Sequence, residues 1–145
     1  MTQAVVIGYG NPLRRDDGAG PAVVERFVGR DGVRVIITHQ LVPELADEVA
    51  ACQRVIFVDA AVTTKTVEVR QLEPASCDLC LGHTGDPAWL LGLTAVLHGR
   101  CPRGWLVTVP ASDLSHGEGL SEETRTALEA AVELVEGLCV GCRST

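Results

Sequence analysis

Two adjacent carboxylates follow the first apolar run of the chain, and a third carboxylate ends another apolar run. Asp16 and Asp17 lie in a loop after Ala4–Tyr9, and Asp59 follows Val55–Val58. Carboxylates placed where strands end are suited to binding a cation or to transferring a proton. A second interpretation is that Asp16 and Asp17 cap the helix that follows them, as acidic residues often do. These residues alone leave both interpretations open.

The glycines after the first apolar run invite comparison with a dinucleotide-binding loop. In such loops Gly residues let backbone amides approach a pyrophosphate at a helix N-terminus. Here Gly8 and Gly10 are followed by Asn11, and Asp16 and Asp17 stand where a phosphate would need hydrogen-bond donors. Two anions would repel a third, so the match to a nucleotide-binding loop is poor.

Strands and helices are predicted to alternate along the chain. Helix starts are indicated by Pro21, Pro43, Asp86-Pro87 and Ser121. Apolar or alternating runs predict strands at Ala4–Tyr9, Val33–Ile37, Val55–Val58, Thr66–Leu72 and Trp105–Val109. The connection from Asp59 to the fourth strand is too short for a parallel return, so that strand is predicted to be antiparallel and at an edge.

This order predicts a single α/β domain over residues 1–145, built as a three-layer α/β/α sandwich. Its sheet has about five strands, mostly parallel, with one antiparallel edge strand. Right-handed crossovers place strands two and three on opposite sides of strand one. Ligands bind at the carboxyl ends of strands beside such a switch point. Asp17 and Asp59 are therefore expected to meet in one crevice.

Three of the four histidines add candidates for the same crevice. His83 lies in a glycine-flanked loop before the third helix, and with two carboxylates it would form an oxygen and nitrogen site suited to nickel, zinc or a similar divalent ion. His39, just past strand two, and His116, in a loop before the last helix, are candidates for the rim. His98 ends a helix, where the helix dipole favours an imidazolium.

Composition limits the class of protein. The chain has 145 residues, of which 46% are hydrophobic, and this is enough for one core. The formal net charge of −7 argues against a nucleic-acid surface or an anionic membrane as partner. The sequence has no signal-like N-terminus and no apolar run long enough to span a bilayer, so a cytoplasmic protein is expected.

The six cysteines raise the question of a metal site. Four of them form two Cys-x-x-Cys pairs: Cys77 with Cys80, and Cys139 with Cys142. This spacing can hold structural zinc through thiolates, and the alternative is that the thiols are incidental or redox-labile. Cys52 and Cys101 are expected to be ordinary small buried residues.

The most specific stretch of the sequence is Ile7–Gly18, a Gly-Asn loop followed by paired acidic residues, and it resembles the hydrogenase maturation endopeptidases. Phe57–Ala60, His83 before an apolar helix, and Pro110–Leu120 before the last helix are similar to that family as well. The resemblance covers nearly the whole chain. Many members have Glu where this chain has Asp17, which keeps the charge and shortens the side chain.

The resemblance implies a hydrolase that removes a short C-terminal extension from the large-subunit precursor of a nickel–iron hydrogenase after nickel insertion. It implies that Asp17, Asp59 and His83 bind the metal, and that the nickel is carried by the precursor. Asp16 or one of the site carboxylates would then act as the base that activates water.

Three further residues, His39, Gln40 and His116, are expected to contact the extension. The stretch around His39 and Gln40 is similar to members that serve cytoplasmic hydrogenases.

Two classes of function follow from these observations. The first is an endopeptidase, expected to be a monomer, whose partner is the nickel-loaded precursor. The second is a non-catalytic metal- or nucleotide-binding module of the same fold.

Overall fold

Strand β1 (Thr2–Tyr9) lies inside a five-stranded sheet, with neighbours on both sides. The computed structural model describes residues 2–75 and 85–140. The other strands are β2 (Val33–Thr38), β3 (Cys52–Ala61), β4 (Glu68–Leu72) and β5 (Arg103–Pro110). The helices are α1 (Ala19–Glu25), α2 (Leu45–Ala50), α3 (Pro87–His98) and α4 (Glu122–Cys139).

The strand order is β2-β1-β3-β5-β4, with β4 antiparallel and the other pairs parallel. This confirms the predicted sheet and its switch point between β1 and β3. The antiparallel direction of β4 follows from the short connection after β3, which leaves no room for a crossover helix. The carboxyl ends of β1 and β3 are therefore neighbours at one edge of the sheet.

Helices cover both faces of the sheet, which gives the predicted three layers. Alternate residues of the central strands enter two separate cores because side chains of a strand point to opposite faces. Val6 and Ile56 pack with α1 and α4, whereas Ile7 and Phe57 pack with α2 and α3. In the part of the chain that the structure describes, no helix is both long enough and apolar enough to cross a membrane.

Several predicted boundaries differ from the structure. The helix that begins after Pro43 ends at Ala50, and β3 starts at Cys52, three residues before the predicted start at Val55. Strand β3 continues past Asp59 to Ala61 because β5 pairs with it as far as Pro110. Helix α1 ends at Glu25, and Val28 beyond it is 66% exposed.

Candidate functional site

The loop after β1 brings its carboxylates to the sheet because glycines allow close backbone contacts. Gly20, near the start of α1, packs directly against the backbone carbonyl oxygens of Val58 and Tyr9, where a Cβ atom would not fit. Gly10 has a φ of 139° and lies against the backbone of Asp17. Only glycine adopts this φ without strain. These contacts hold the short turn Arg15–Gly18 over the end of β1.

Asp17 is half-buried in this loop and is held by the backbone of the same loop. Its Oδ2 accepts a hydrogen bond of 2.7 Å from the backbone N–H of Asn11. The cap position of α1 is Gly18, and no side chain caps this helix. The capping interpretation of Asp16 and Asp17 is therefore wrong for α1.

Asp59 lies beside Tyr9 on the neighbouring strand. Gly8 pairs with Val58 across the sheet, so the next residues, Tyr9 and Asp59, lie abreast. The Tyr9 hydroxyl donates a hydrogen bond to the Asp59 carboxylate. The Oδ1 atom of Asp59 also accepts from the N–H of Ala60 at 2.8 Å. Burial and the neighbouring carboxylate raise the pKa of the Tyr9 hydroxyl, so Tyr9 stays protonated and serves as a donor.

The carboxylates of Asp17 and Asp59 are close enough for their charges to interact. Burial, together with the negative charge of Asp17, raises the pKa of Asp59 to about 6, despite the hydrogen bonds from Ala60 and Tyr9. No Lys or Arg side chain forms an ion pair with either carboxylate among the described residues. Two carboxylates that lie close together without a cationic partner repel each other, and a bound metal ion would offset this repulsion.

Asp16 points away from this pair and is fully buried. Its Oδ2 accepts from the backbone N–H groups of Ser112 and Asp113, both at 2.9 Å, and from the Ser121 hydroxyl at 2.7 Å. Its Oδ1 accepts from the Ser121 N–H at 2.7 Å. Burial alone would raise the pKa of Asp16, but these hydrogen bonds outweigh it and lower the pKa well below its usual range.

A second loop, residues 111–121, packs on the loop after β1. The N–H of Gly117 donates to the carbonyl of Leu13 at 2.8 Å, and the N–H of Arg15 donates to the carbonyl of Gly117 at 3.2 Å. The guanidinium of Arg15 also donates to the carbonyl of Glu118 at 3.1 Å. Together with the hydrogen bonds of Asp16, these backbone and guanidinium contacts join the two loops into one unit beside the two carboxylates.

Comparison with solved structures shows what this arrangement is similar to. The sequence matches no known protein-family profile, and it matches no curated protein. The hydrogenase maturating endopeptidase HybD from E. coli is 25% identical, with a TM-score of 0.69, and the match covers 92% of this chain and 89% of that one. A hydrogenase 2 maturation peptidase from a Thaumarchaeota archaeon is 25% identical, with a TM-score of 0.66 and coverage of 92% and 95%.

A third structure has the same fold at lower identity. The [NiFe] hydrogenase maturation protease HybD from Thermococcus kodakarensis is 23% identical, with a TM-score of 0.71 and coverage of 94% of this chain and 99% of that one. In fold, and at 25% identity over most of both chains, this chain is similar to the hydrogenase maturation proteases. This confirms the family resemblance found in the sequence, and it confirms the expectation of a hydrolase that acts as a protease.

The predicted rim residues lie on loops that contact the loop after β1 through neighbouring residues. His39 and Gln40 are exposed at the end of β2, where the N–H of Gly10 donates to the carbonyl of Thr38 at 3.1 Å. His116 is exposed and precedes Gly117, which contacts the loop after β1. His98 lies elsewhere: its Nε2 is 2.9 Å from an oxygen of Asp47, which links α3 to α2. The contacts of His39, Gln40 and His116 with a substrate stay a prediction.

His83, the third predicted metal-binding residue, lies outside the described residues. Within 2–75 and 85–140 no group of three or more His, Cys, Asp or Glu side chains is arranged to hold a metal. The role of His83 as a ligand stays a prediction.

The predicted zinc site falls mainly on residues that are not described, namely Cys77, Cys80 and Cys142. Cys139 is described: it is buried in the core formed with α1 and β-strand residues. Burial raises the pKa of its thiol to about 11, whereas zinc binds the thiolate. Cys52 is buried as expected, and Cys101 is only half-buried.

The sequence analysis missed three residues of the site. Tyr9 was counted only as an apolar strand residue, although in-register parallel pairing would have placed it beside Asp59. Ser112 and Ser121, which hold Asp16, lie about a hundred residues away in sequence. No local pattern connects them to Asp16, because this contact depends on the packing of α4 against β5 and α1.

Proposed function

We propose that the protein is an endopeptidase that removes the C-terminal extension of a nickel–iron hydrogenase large-subunit precursor after nickel has been inserted. The observation that carries this proposal is the pair Asp17 and Asp59, which converge without a cationic partner in the fold of the maturation endopeptidases. The oxygen donors of this pair suit a divalent ion. We propose that the nickel belongs to the substrate and that these residues recognise it in the loaded precursor.

We assign His83 the third ligand position. It precedes the N-terminus of α3 by a few residues, and Asp86 at that N-terminus acts electrostatically on Tyr9. An imidazole beside two carboxylates gives a donor set that nickel accepts readily. The ligand set would allow the enzyme to distinguish loaded from empty precursor, because an empty precursor would leave the two carboxylates in repulsion.

The residues around the pair support peptide hydrolysis in different ways. Asp59, with a pKa near 6, is mainly ionised at neutral pH and can accept a proton from water. Tyr9 donates to Asp59 and fixes the orientation of its carboxylate. Nickel in the precursor would polarise the scissile carbonyl. Asp16 was expected as a possible base, but we propose that it holds the loop, because all of its described contacts are with donors of the 111–121 loop.

The remaining proposals concern the setting of the reaction. We propose that the enzyme acts as a monomer in the cytoplasm, and that His39, Gln40 and His116 contact the precursor around the crevice. Each of these three side chains is exposed and lies on a loop next to the one that carries Asp17.

The proposal is tested by intact-mass spectrometry of hydrogenase large-subunit precursors incubated with the protein. Precursors are prepared with and without nickel, and loss of a C-terminal peptide is expected from the nickel-loaded form alone. Asp17→Asn serves as the inactive variant and Asp31→Asn, at an exposed surface position, as its matched control. Failure of the folded wild-type protein to cleave any loaded precursor would overturn the proposal and favour the metal-binding module.

A further inference from the structure

An open cavity of about 470 Å³ lies next to Asp59, on the side of β3 that is away from β1. Its lining includes Ala61, Thr64, Glu68, Arg70, Leu106 and Thr108. The volume is in the range of natural ligand sites. Neither Asp17 nor Asp59 lines this cavity, so it is an additional feature of the site.

The pairing of the strands places the cavity beside Asp59. Asp59 pairs with Thr108 of β5, and Thr108 pairs with Glu68 of β4. Neighbouring strands are about 4.8 Å apart, so the three residues form a row across the sheet. Side chains of directly paired residues point to the same face. The cavity therefore continues the crevice along the sheet, from the carboxylates towards the edge.

Arg70 is the cation of this surface. It is exposed and lines the cavity from β4, two residues after Glu68 and on the same face of the strand. Among the described residues it forms no ion pair. Arg70 pairs with Leu106 of β5, two residues before Thr108, so it lies one step along the strand from the row of Asp59, Thr108 and Glu68. In a chain with a formal net charge of −7, an unpaired cation beside the site is a recognition element for an anion.

The shape and position of the cavity select an extended peptide. In the described part of the chain β4 is the last strand of the sheet, so the cavity opens at the sheet edge. A protein chain that leaves the carboxylates along the row of Asp59, Thr108 and Glu68 would emerge there. Threonine hydroxyls along the wall, at Thr64 and Thr108, can exchange hydrogen bonds with a peptide backbone.

We propose that this cavity binds the C-terminal extension of the precursor in an extended conformation, and that Arg70 determines specificity by pairing with a carboxylate of the extension. The inference rests on the proposed function and adds the binding site of the segment that is removed. The carboxylate is either the chain terminus of the extension or an acidic side chain within it. Both present the same planar group to a guanidinium.

The decisive variant is Arg70→Glu, with Arg103→Glu as its matched control. Arg103 is an exposed arginine at the opposite end of the adjacent strand β5. For Arg70→Glu we expect KM for the full precursor to rise about tenfold or more, which corresponds to ~1.4 kcal/mol of lost binding, with kcat unchanged. Arg103→Glu should have wild-type constants, and Arg70→Lys should lie between wild type and Arg70→Glu because it keeps the charge without the bidentate geometry.

A precursor with a shortened extension shows whether Arg70 acts through the cavity. The extension is cut back until only the residues next to the scissile bond remain, so that it no longer reaches β4. On this substrate wild type and Arg70→Glu should have equal KM values. Equal KM values on the full precursor, or an undiminished difference on the shortened one, would overturn the inference while leaving the proposed function intact.

Direct binding of the extension provides a readout that does not need cleavage. A fluorescent synthetic peptide with the sequence of the extension is titrated with wild type and Arg70→Glu, and weaker binding to the variant is expected. An amidated peptide and a peptide with Asp and Glu replaced by Asn and Gln identify which carboxylate is bound. If the wild type cleaves no precursor, the proposed function fails, and equal binding of the peptide to both proteins, or none to either, overturns the cavity assignment separately.

Discussion

The carboxylate of Asp16 accepts hydrogen bonds from both the backbone N–H and the hydroxyl of Ser121, a residue 105 positions later in the chain. Ser121 is the N-cap of α4, and its hydroxyl also accepts from the N–H of Thr124 at 3.3 Å. One buried carboxylate thus joins the loop after β1 to the start of the last helix. The adjacent residue, Asp17, is left facing the crevice.

Asp16→Asn should lower the free energy of unfolding by about 3 kcal/mol or more, since hydrogen bonds to a buried charged group each contribute roughly 1.5–3 kcal/mol. Asn has only one side-chain oxygen. Its amide group would therefore point N–H towards a backbone N–H that now donates to Asp16. Chemical denaturation measures the change. Asp31→Asn, at an exposed position, should be close to wild type, and equal stabilities of the two variants would contradict the anchoring role.

Asp17→Asn should leave the fold intact and reduce processing of the nickel-loaded precursor by roughly a hundredfold or more, as when a group acting directly on the reacting centre is removed. The oxygen of Asn can still accept the hydrogen bond from the N–H of Asn11, so the loop is retained. Asp17→Glu should keep activity, because the family resemblance places Glu at this position in many members. The checks are single-turnover cleavage and thermal unfolding, and a strongly lowered Tm for Asp17→Asn would contradict its placement.

His83→Ala is expected to abolish processing as Asp17→Asn does, because loss of either ligand weakens recognition of nickel. His98→Ala is the matched control, since His98 is the last residue of α3 and contacts Asp47 of α2. Cleavage of the loaded precursor is followed by mass spectrometry. Normal processing by His83→Ala would remove His83 from the proposed ligand set.

Asp59→Asn should stabilise the metal-free protein more at pH 7.5 than at pH 4. Burial and the charge of Asp17 raise the pKa of Asp59 from an ordinary value of 3.8 to about 6. The folded state therefore keeps a proton that the unfolded chain releases first. The resulting stabilisation is complete below the unfolded pKa and is lost as the pH rises through about 6.

Because Asn does not titrate, the difference in unfolding free energy between Asp59→Asn and wild type should grow by roughly 1–2 kcal/mol over this range, which allows for partial solvent screening. Urea unfolding at the two pH values measures it. If the difference in unfolding free energy does not change with pH, the surroundings of Asp59 do not raise its pKa.

Gly20→Ala should destabilise the protein by about 2 kcal/mol although Ala is the better helix former, since overpacking commonly costs 1–3 kcal/mol. The new methyl group would press on the carbonyl oxygens of Val58 and Tyr9 and push α1 away from the sheet. Gly137→Ala in α4 is the control, because nothing lies near its Cβ position and helix propensity alone should stabilise it by about 0.5–1 kcal/mol. Opposite signs of the two changes are expected by thermal or urea unfolding.

Much of the architecture could be predicted because it depends on local signals. The continuous apolar run of β1 marks a strand covered on both faces, and the short connection after Asp59 requires β4 to be antiparallel. Boundaries were less certain. The local pattern starts the third strand at Val55, but sheet pairing extends it back to Cys52, whose partner on β1 is Thr2.

For the residues of the site, too, part of the arrangement follows from local signals and part from tertiary packing. The sequence by itself determined that Asp17 and Asp59 lie near the carboxyl ends of neighbouring strands, because strand order is limited by the right-handed crossover. Only the tertiary structure decided that Asp16 and Asp17, adjacent in sequence, have different surroundings. One is buried under donors from the 111–121 loop and the other faces Asp59, because the packing of α4 against the sheet brings Ser112 and Ser121 to the first and not to the second.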